Sequence, residues 1–161
     1  MANASKLVSE PSRRQCMGMT VTELAAALSS LPHGPEFRFV DALTSLDPGK
    51  EGTGSYLVRG DEAFLAGHFP GQPLMPGVIL LEAIAQLGGV IVQTAPDQAP
   101  MKNLRLTAIR AAKILGVALP GELLLLRAKV EGRFGNLVQL EGEVTGPNGL
   151  LASAKVALSG E

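Results

Sequence analysis

The chain has 161 residues, of which 46% are hydrophobic and 18% charged, the composition of a globular domain and not of a disordered one. Fourteen basic against fifteen acidic side chains leave a net charge of −1, which argues against a nucleic-acid binder, since that function asks for a strongly basic face. The single Cys16 excludes an intrachain disulfide framework and a cysteine-based zinc site.

The longest nearly apolar stretch, Val78 to Val92, contains Glu82 and Gln86 and falls short of the roughly 20 apolar residues a membrane span needs. Residues 1–19 have no continuous apolar core of the kind a secretory signal requires. The expectation is one cytoplasmic domain over residues 20–161, with residues 1–19 a disordered tail or a misplaced start.

In chain order, Thr20 followed by Glu23 is a capping-box pattern. Leu24, Leu28 and Leu31 recur at helical spacing and Pro32 stops the run, which predicts a short helix over 21–30. Phe37 and Phe39 alternate with Glu36 and Arg38, predicting a strand over 36–46. Asp47-Pro48-Gly49 is a turn, and residues 54–59 begin a second strand. Val78 to Val92 is apolar all round, so it reads as a helix buried on every side. Pro76 sits where that helix begins, and Ala83, Ala85, Gly88 and Gly89 lack bulk, so strands can approach closely. Residues 101–110 predict a further strand. Leu124, Leu126, Ala128 and Val130 share one face, as do Val138, Leu140 and Val144, and then Leu150, Ala152, Ala154, Val156 and Leu158. Gly132–Gly135 and Gly146–Gly149 connect these runs as hairpins. One buried helix amid five or six long antiparallel strands gives an α+β class, a sheet wrapped around a helix.

Chemistry concentrates in Gly67-His68-Phe69-Pro70-Gly71-Gln72-Pro73-Leu74-Met75-Pro76-Gly77-Val78. This Gly/Pro-rich loop delivers a histidine to the start of the buried helix. Glu82 follows on the helix with Gln86 one turn later on the same face. A carboxylate on an oily helix is costly unless paired or neutralised, which suits Glu82 to proton donation, while an imidazole is by nature a base near neutral pH. Taken singly, Glu82 could bond a strand backbone and His68 could be an exposed loop residue. Their combination with a helix N-terminus at Gly77, able to hold an oxyanion, is the stronger signal. Phe69, Leu74, Val78 and Ile79 could line a tunnel for an acyl chain or belong to the ordinary core.

The run GHFPGQPLMPGVILLEAIAQ, residues 67–86, resembles the signature of the FabZ-type β-hydroxyacyl-acyl-carrier-protein dehydratases. The likeness extends over about residues 31–158, through Leu31-Pro32-His33, Asp61-Glu62-Ala63-Phe64 and Pro120-Gly121-Glu122. The resemblance implies the hot-dog fold, an antiparallel sheet around one long central helix. It implies homodimers, often assembled as trimers of dimers, with active sites at the dimer interface. The implied reaction is reversible loss of water from a (3R)-hydroxyacyl thioester to give the trans-2-enoyl thioester. His68 matches the catalytic histidine and Glu82 the catalytic carboxylate, supplied by the other protomer. Gly77 matches the backbone donor to the thioester carbonyl, Gln86 a residue that orients the carboxylate, and Leu74 one whose carbonyl orients the histidine. The resemblance implies no metal and no cofactor beyond the phosphopantetheine of the acyl carrier protein that brings the substrate. Glutamate at 82, where relatives that also isomerise the double bond usually carry Asp, favours dehydration alone.

Three departures from the family pattern bear on substrate and partner. Gly34-Pro35-Glu36 stands where Arg-Tyr-Pro is usual, Ala42 where Arg commonly follows the Asp, and Leu115-Gly116-Val117-Ala118 where a basic run is common. Lys102, Arg105, Arg110 and Lys113, in a stretch free of acidic residues, are substitute docking candidates for an acidic carrier protein, or a solvated strand face. The alternatives are a hot-dog thioesterase using Glu82 to activate water, and a non-catalytic subunit that binds the acyl group or its carrier.

Overall fold

The computed structural model describes residues 18–161; residues 1–17, with Cys16 and most of the expected tail, lie outside the described residues. The elements are α1 (Val21–Leu28), β1 (Ala42–Asp47), β2 (Glu51–Leu57), α2 (Gly77–Gln93), β3 (Arg105–Ile114), β4 (Leu123–Phe134), β5 (Leu137–Gly146) and β6 (Gly149–Ser159). The strands form one antiparallel sheet in the order β1-β2-β4-β5-β6-β3. This sheet wraps α2, which packs on β2 through β6, and the architecture is the hot-dog fold. Among the described residues no helix is long and apolar enough to cross a membrane.

The capping box at Thr20 forms: the Glu23 N–H donates to Thr20 Oγ1 at 3.2 Å and the Thr20 N–H to Glu23 Oε2 at 2.7 Å. In α2 the run from Leu80 to Val92 is buried except at Glu82 and Gly89. Each buried Leu, Ile or Val there contributes roughly 1.5–3 kcal/mol relative to exposure. Helix and sheet lie close because glycine faces the contact from both sides. A Cβ at Gly88 would run into Leu140 of β5, and one at Gly142 would stand 2.5 Å from Ile84 Cγ2 of α2.

Three expected strands are displaced: the one expected over 54–59 runs earlier, from Glu51 to Leu57, and for the two whose starts are delayed a glutamine side chain of α2 is the cause. Residues 35–37 form a 3-10 turn and the strand begins only at Ala42, because the Phe37 carbonyl and the Phe39 N–H bond the Gln86 amide and not a neighbouring strand. The expected strand over 101–110 runs from Arg105 to Ile114. Its start is shifted since the Met101 N–H and carbonyl are both taken by the Gln93 amide, at 2.8 Å each.

Smaller differences come from irregular registers. Gly132 lies inside β4 next to a register shift, and the hairpin turn is only Gly135-Asn136. A bulge near Thr145 pairs Val144 with Ala152 and Thr145 with Leu150, so Leu151 enters the core and Leu150 is left exposed.

Candidate active site

His68 lies in the loop that leads from a 3-10 turn (Ala63–Leu65) into α2. Its Nδ1 is 2.8 Å from the Leu74 carbonyl oxygen. A carbonyl only accepts, so the neutral ring carries its proton on Nδ1 and the Nε2 lone pair is free. The Gln72 N–H closes the tight turn on the Phe69 carbonyl at 2.9 Å. Phe69 has φ +56°, a left-handed conformation that costs a residue other than glycine about 1–3 kcal/mol, and its ring meets the His68 ring edge-on at 4.6 Å. The loop is fastened at its far end, where the buried Met75 donates its N–H to the Ala118 carbonyl at 2.8 Å.

Pro76 caps α2 and Gly77 opens it. The N–H groups of Gly77 and Val78 donate to no acceptor among the described residues. They stand at the positive end of the helix dipole, where orphan donors gather. A Cβ at Gly77 would lie 2.6 Å from Ile114 Cδ1, so glycine lets β3 press against the helix end.

Glu82 projects from α2 and its Oε1 accepts the Gln86 Nε2–H at 3.0 Å. Gln86 is 2% exposed, and burying an amide among apolar side chains requires that it be bonded. It is: Nε2 also donates to the Phe37 carbonyl at 2.9 Å, and Oε1 accepts the Phe39 N–H at 2.8 Å. Glu82 Oε2 has no partner among the described residues. His68 and Glu82 form no ion pair with each other within the single chain; the imidazole beside Glu82 is that of His33, with Nε2 3.5 Å from Oε1. Sequence reasoning assigned His33 no role. A lone loop histidine far from Glu82 in sequence carries no spacing signal, and only its place in the Leu31-Pro32-His33 opening pointed to it.

A cavity of about 220 Å³ opens beside Glu82, His33 and Gln86 and continues past Gly89 between Leu31, Leu104, Leu106 and Leu158. None of the tunnel candidates Phe69, Val78 and Ile79 lines it. Phe69 and Val78 are 59% and 64% exposed, and Ile79 packs partly against the core. The four cations do not share one face. Arg105 lines the cavity beside Glu82, whereas Lys113 lines a groove on the side of the sheet away from α2, with Arg127, Lys129 and Lys155. Lys102 precedes β3, and Arg110 is exposed within it. Among the described residues no group of His, Cys, Asp and Glu gathers at a spacing that could hold a metal.

The approach to His68 is anchored by a second polar cluster. Glu62 Oε1 accepts the buried Tyr56 hydroxyl and the Arg59 N–H, each at 2.8 Å, and Oε2 the Gly60 N–H at 2.7 Å. Burial alone would raise the Glu62 pKa, but these donors, the Arg59 amide foremost, hold it below the usual carboxylate range. Arg59 in turn reaches Asp41 Oδ1 at 2.7 Å, and Asp41 Oδ2 accepts the Leu57 N–H.

Residues 31–152 match the FabA-like domain family. A Chloroflexus aggregans protein named 3-hydroxyacyl-[acyl-carrier-protein] dehydratase FabZ is 38% identical over 104 residues, 65% of this chain and 72% of that one. A Rickettsia bellii protein of the same name is 31% identical over 145 residues, 86% of this chain and 98% of its own. Among solved structures, the dehydratase heterocomplex ApeI:P from Xenorhabdus doucetiae superposes with a TM-score of 0.70 at 16% identity, covering 84% of this chain and 90% of that chain. Zebra fish thioesterase superfamily member 2 superposes at 0.66 with 15% identity, over 89% and 99%; at such identities the likeness is one of fold. With a family match across most of its length and FabZ-named relatives over nearly their whole length, the chain belongs to the FabA-like family of hot-dog proteins.

Proposed function

We propose that this protein is a hydro-lyase that removes water from (3R)-hydroxyacyl thioesters carried on an acyl carrier protein, giving trans-2-enoyl thioesters in fatty-acid or related acyl-chain synthesis. The observation that carries the reading is the pairing of a fixed imidazole with unclaimed donors. The His68 ring is oriented by the Leu74 carbonyl, and the open N–H groups at Gly77 and Val78 begin the adjoining helix.

The chemistry follows from those atoms. Nε2 of His68 takes the α-proton, and the C–H electron pair moves toward the thioester carbonyl. Negative charge grows on the carbonyl oxygen, where the Gly77 N–H at the positive helix end stabilises it; loss of one such donor typically costs about 2.7–4 kcal/mol. The charge then returns to form the C=C bond as the β-hydroxyl leaves, protonated by Glu82, as water. A proton and a hydroxyl depart together, so carbon undergoes no net redox change and the scheme calls for no redox carrier. The phosphopantetheine arm arrives with the substrate, in a cytoplasmic setting.

Glu82 serves the His68 of a second copy in this reading. Support comes from the absence of a His68–Glu82 ion pair within one chain and from the form of β3. Among the described residues that strand has β6 as its sole neighbour in the sheet, and its Ile109 and Ile114, with Leu115 and Val117 beyond, are exposed apolar side chains. A long edge strand with an oily surface invites strand pairing, and Ile114 touches the Gly77 end of α2, so a partner seated there adjoins the oxyanion donor. The apolar walls of the cavity near Glu82 would hold the acyl chain, and Arg105, which lines that cavity, would meet the acidic carrier.

The test is hydration of a crotonyl thioester, followed as loss of the enoyl absorbance, with thiol release measured in parallel. Turnover in the wild type that His68→Ala and Glu82→Gln abolish, without thiol release, is the expected result. Wild-type turnover no higher than in those variants overturns the reading, and thiol release in its place assigns a thioesterase.

A further inference from the structure

We infer that His33 is a positioning residue for Glu82, acting as a neutral imidazole with its proton on Nε2. The inference rests on the dehydratase reading of Glu82 and extends it to a residue outside the His68 loop. His33 Nε2 lies 3.5 Å from Glu82 Oε1, the same oxygen that accepts the Gln86 amide at 3.0 Å. The Gln86 donor fixes the rotation of the carboxyl group, the His33 ring nitrogen faces the same oxygen, and Oε2 is left as the oxygen available to a substrate hydroxyl.

The tautomer follows from the other ring nitrogen. His33 Nδ1 is buried and has no hydrogen-bond partner among the described residues. An orphaned buried N–H is a more costly defect than an under-used acceptor lone pair, so the ring keeps Nδ1 bare and its proton on Nε2, facing the carboxylate. A separation of 3.5 Å is at the outer edge of a hydrogen bond, and such contacts often tighten once substrate is bound.

The ring is also held in place. The Arg38 guanidinium donates to the His33 carbonyl at 3.1 Å, the Phe37 ring lies 6.2 Å from the imidazole, and Gln86 pins the backbone at Phe37 and Phe39. His33 and Glu82 both line the cavity that continues past Gly89. The sequence contains two histidines, and their partners assign them opposite tautomers: His68 with its proton on Nδ1 to leave a base, His33 with its proton on Nε2 to supply a donor.

The experiment has two arms. Long-range proton–nitrogen correlation on ¹⁵N-histidine-labelled protein, at a pH well above the ordinary imidazole range, reads the tautomers directly. Two spin systems of opposite tautomer are expected, and His33→Gln removes the one protonated on Nε2. A His33 ring protonated on Nδ1, or averaged between tautomers, overturns the inference. In the second arm, His33→Ala lowers kcat about tenfold with little change in KM, and His33→Gln, which keeps a side-chain N–H, recovers most of the loss. Wild-type kcat in the alanine variant, or no recovery with glutamine, overturns it equally. If the alanine variant does not fold, the spectrum and the glutamine variant decide. A wild type without dehydratase turnover defeats the proposed function, while the spectrum still judges the His33–Glu82 geometry.

Discussion

Gln86 Nε2 bonds Glu82 Oε1 at 3.0 Å while the same amide holds the backbone at Phe37 and Phe39. Orientation of the carboxyl group and closure of the segment beneath it are therefore one interaction. Gln86→Leu keeps the bulk and strands two backbone groups with no alternative partner. A loss of about 2–4 kcal/mol of stability is expected, accompanied by reduced turnover. Urea unfolding and the crotonyl assay measure the two; a stability equal to wild type would contradict the account.

Gly77→Ala should lower kcat about a hundredfold, the scale on which misplacement by about an ångström acts, because the new Cβ meets Ile114 and pushes the helix end off its donor position. Trimming the obstacle with Ile114→Ala in the same chain should restore much of the rate. Steady-state kinetics of the single and double variants decide, and an additive loss would point away from the contact.

A Cβ at Gly89 would meet nothing within 4 Å, since this residue faces the cavity beside Glu82. Gly89→Ala should stabilise α2 by roughly 1 kcal/mol through helix propensity. Gly89→Leu should fill the space, with KM rising more steeply as the acyl chain of the thioester lengthens. A uniform effect on all chain lengths would place the acyl chain elsewhere.

Glu62 contributes to the acid side of the stability profile. Its folded-state pKa is depressed below the unfolded value of about 4.3. Its contribution is therefore whole above about pH 4.3 and is lost as the pH falls through the folded value. Burial first, and Glu62 second, push the Tyr56 phenol upward, so its share persists below about pH 10 and is lost as the pH rises beyond. Melting temperature against pH should show a shallower acid limb in Glu62→Gln; an unchanged limb would remove Glu62 from the account.

Ile109→Glu places a carboxylate in the middle of the exposed β3 edge. Light scattering should register a drop from dimer to monomer, with turnover lost and circular dichroism unchanged. A variant that stays dimeric and active would separate the assembly from this strand.

Local patterns made α2 and the β4–β6 meander legible. Pro76 and an apolar run on every face announce a buried helix, and strict alternation announces half-buried strands. What alternation does not carry is a side chain that replaces a strand. Gln86 and Gln93 take up the backbone of residues 37–39 and of Met101, and the two delayed strand starts trace to them. The bulge that exchanges Leu150 for Leu151 is likewise a property of the pairing with β5. In the site, the positions of His68, Leu74, Gly77, Glu82 and Gln86 could be read because they fall within one contiguous motif. His33 could not, because its nearness to Glu82 exists only after the chain folds back across the helix. The cations at Arg105 and Lys113 looked like one patch in sequence, yet they line opposite sides of the sheet.

The single bridge between Met75 and Ala118 ties the fate of two distant stretches. Whatever grips the oily connection at Leu115, Val117 and Leu119 also pulls on the strap bearing His68, since the bridge sits at the root of that strap. In the proposed dimer, pairing along the rim of the sheet and alignment of the His68 ring would thus share a mechanical linkage, and loosening the first would be felt as slackness in the second.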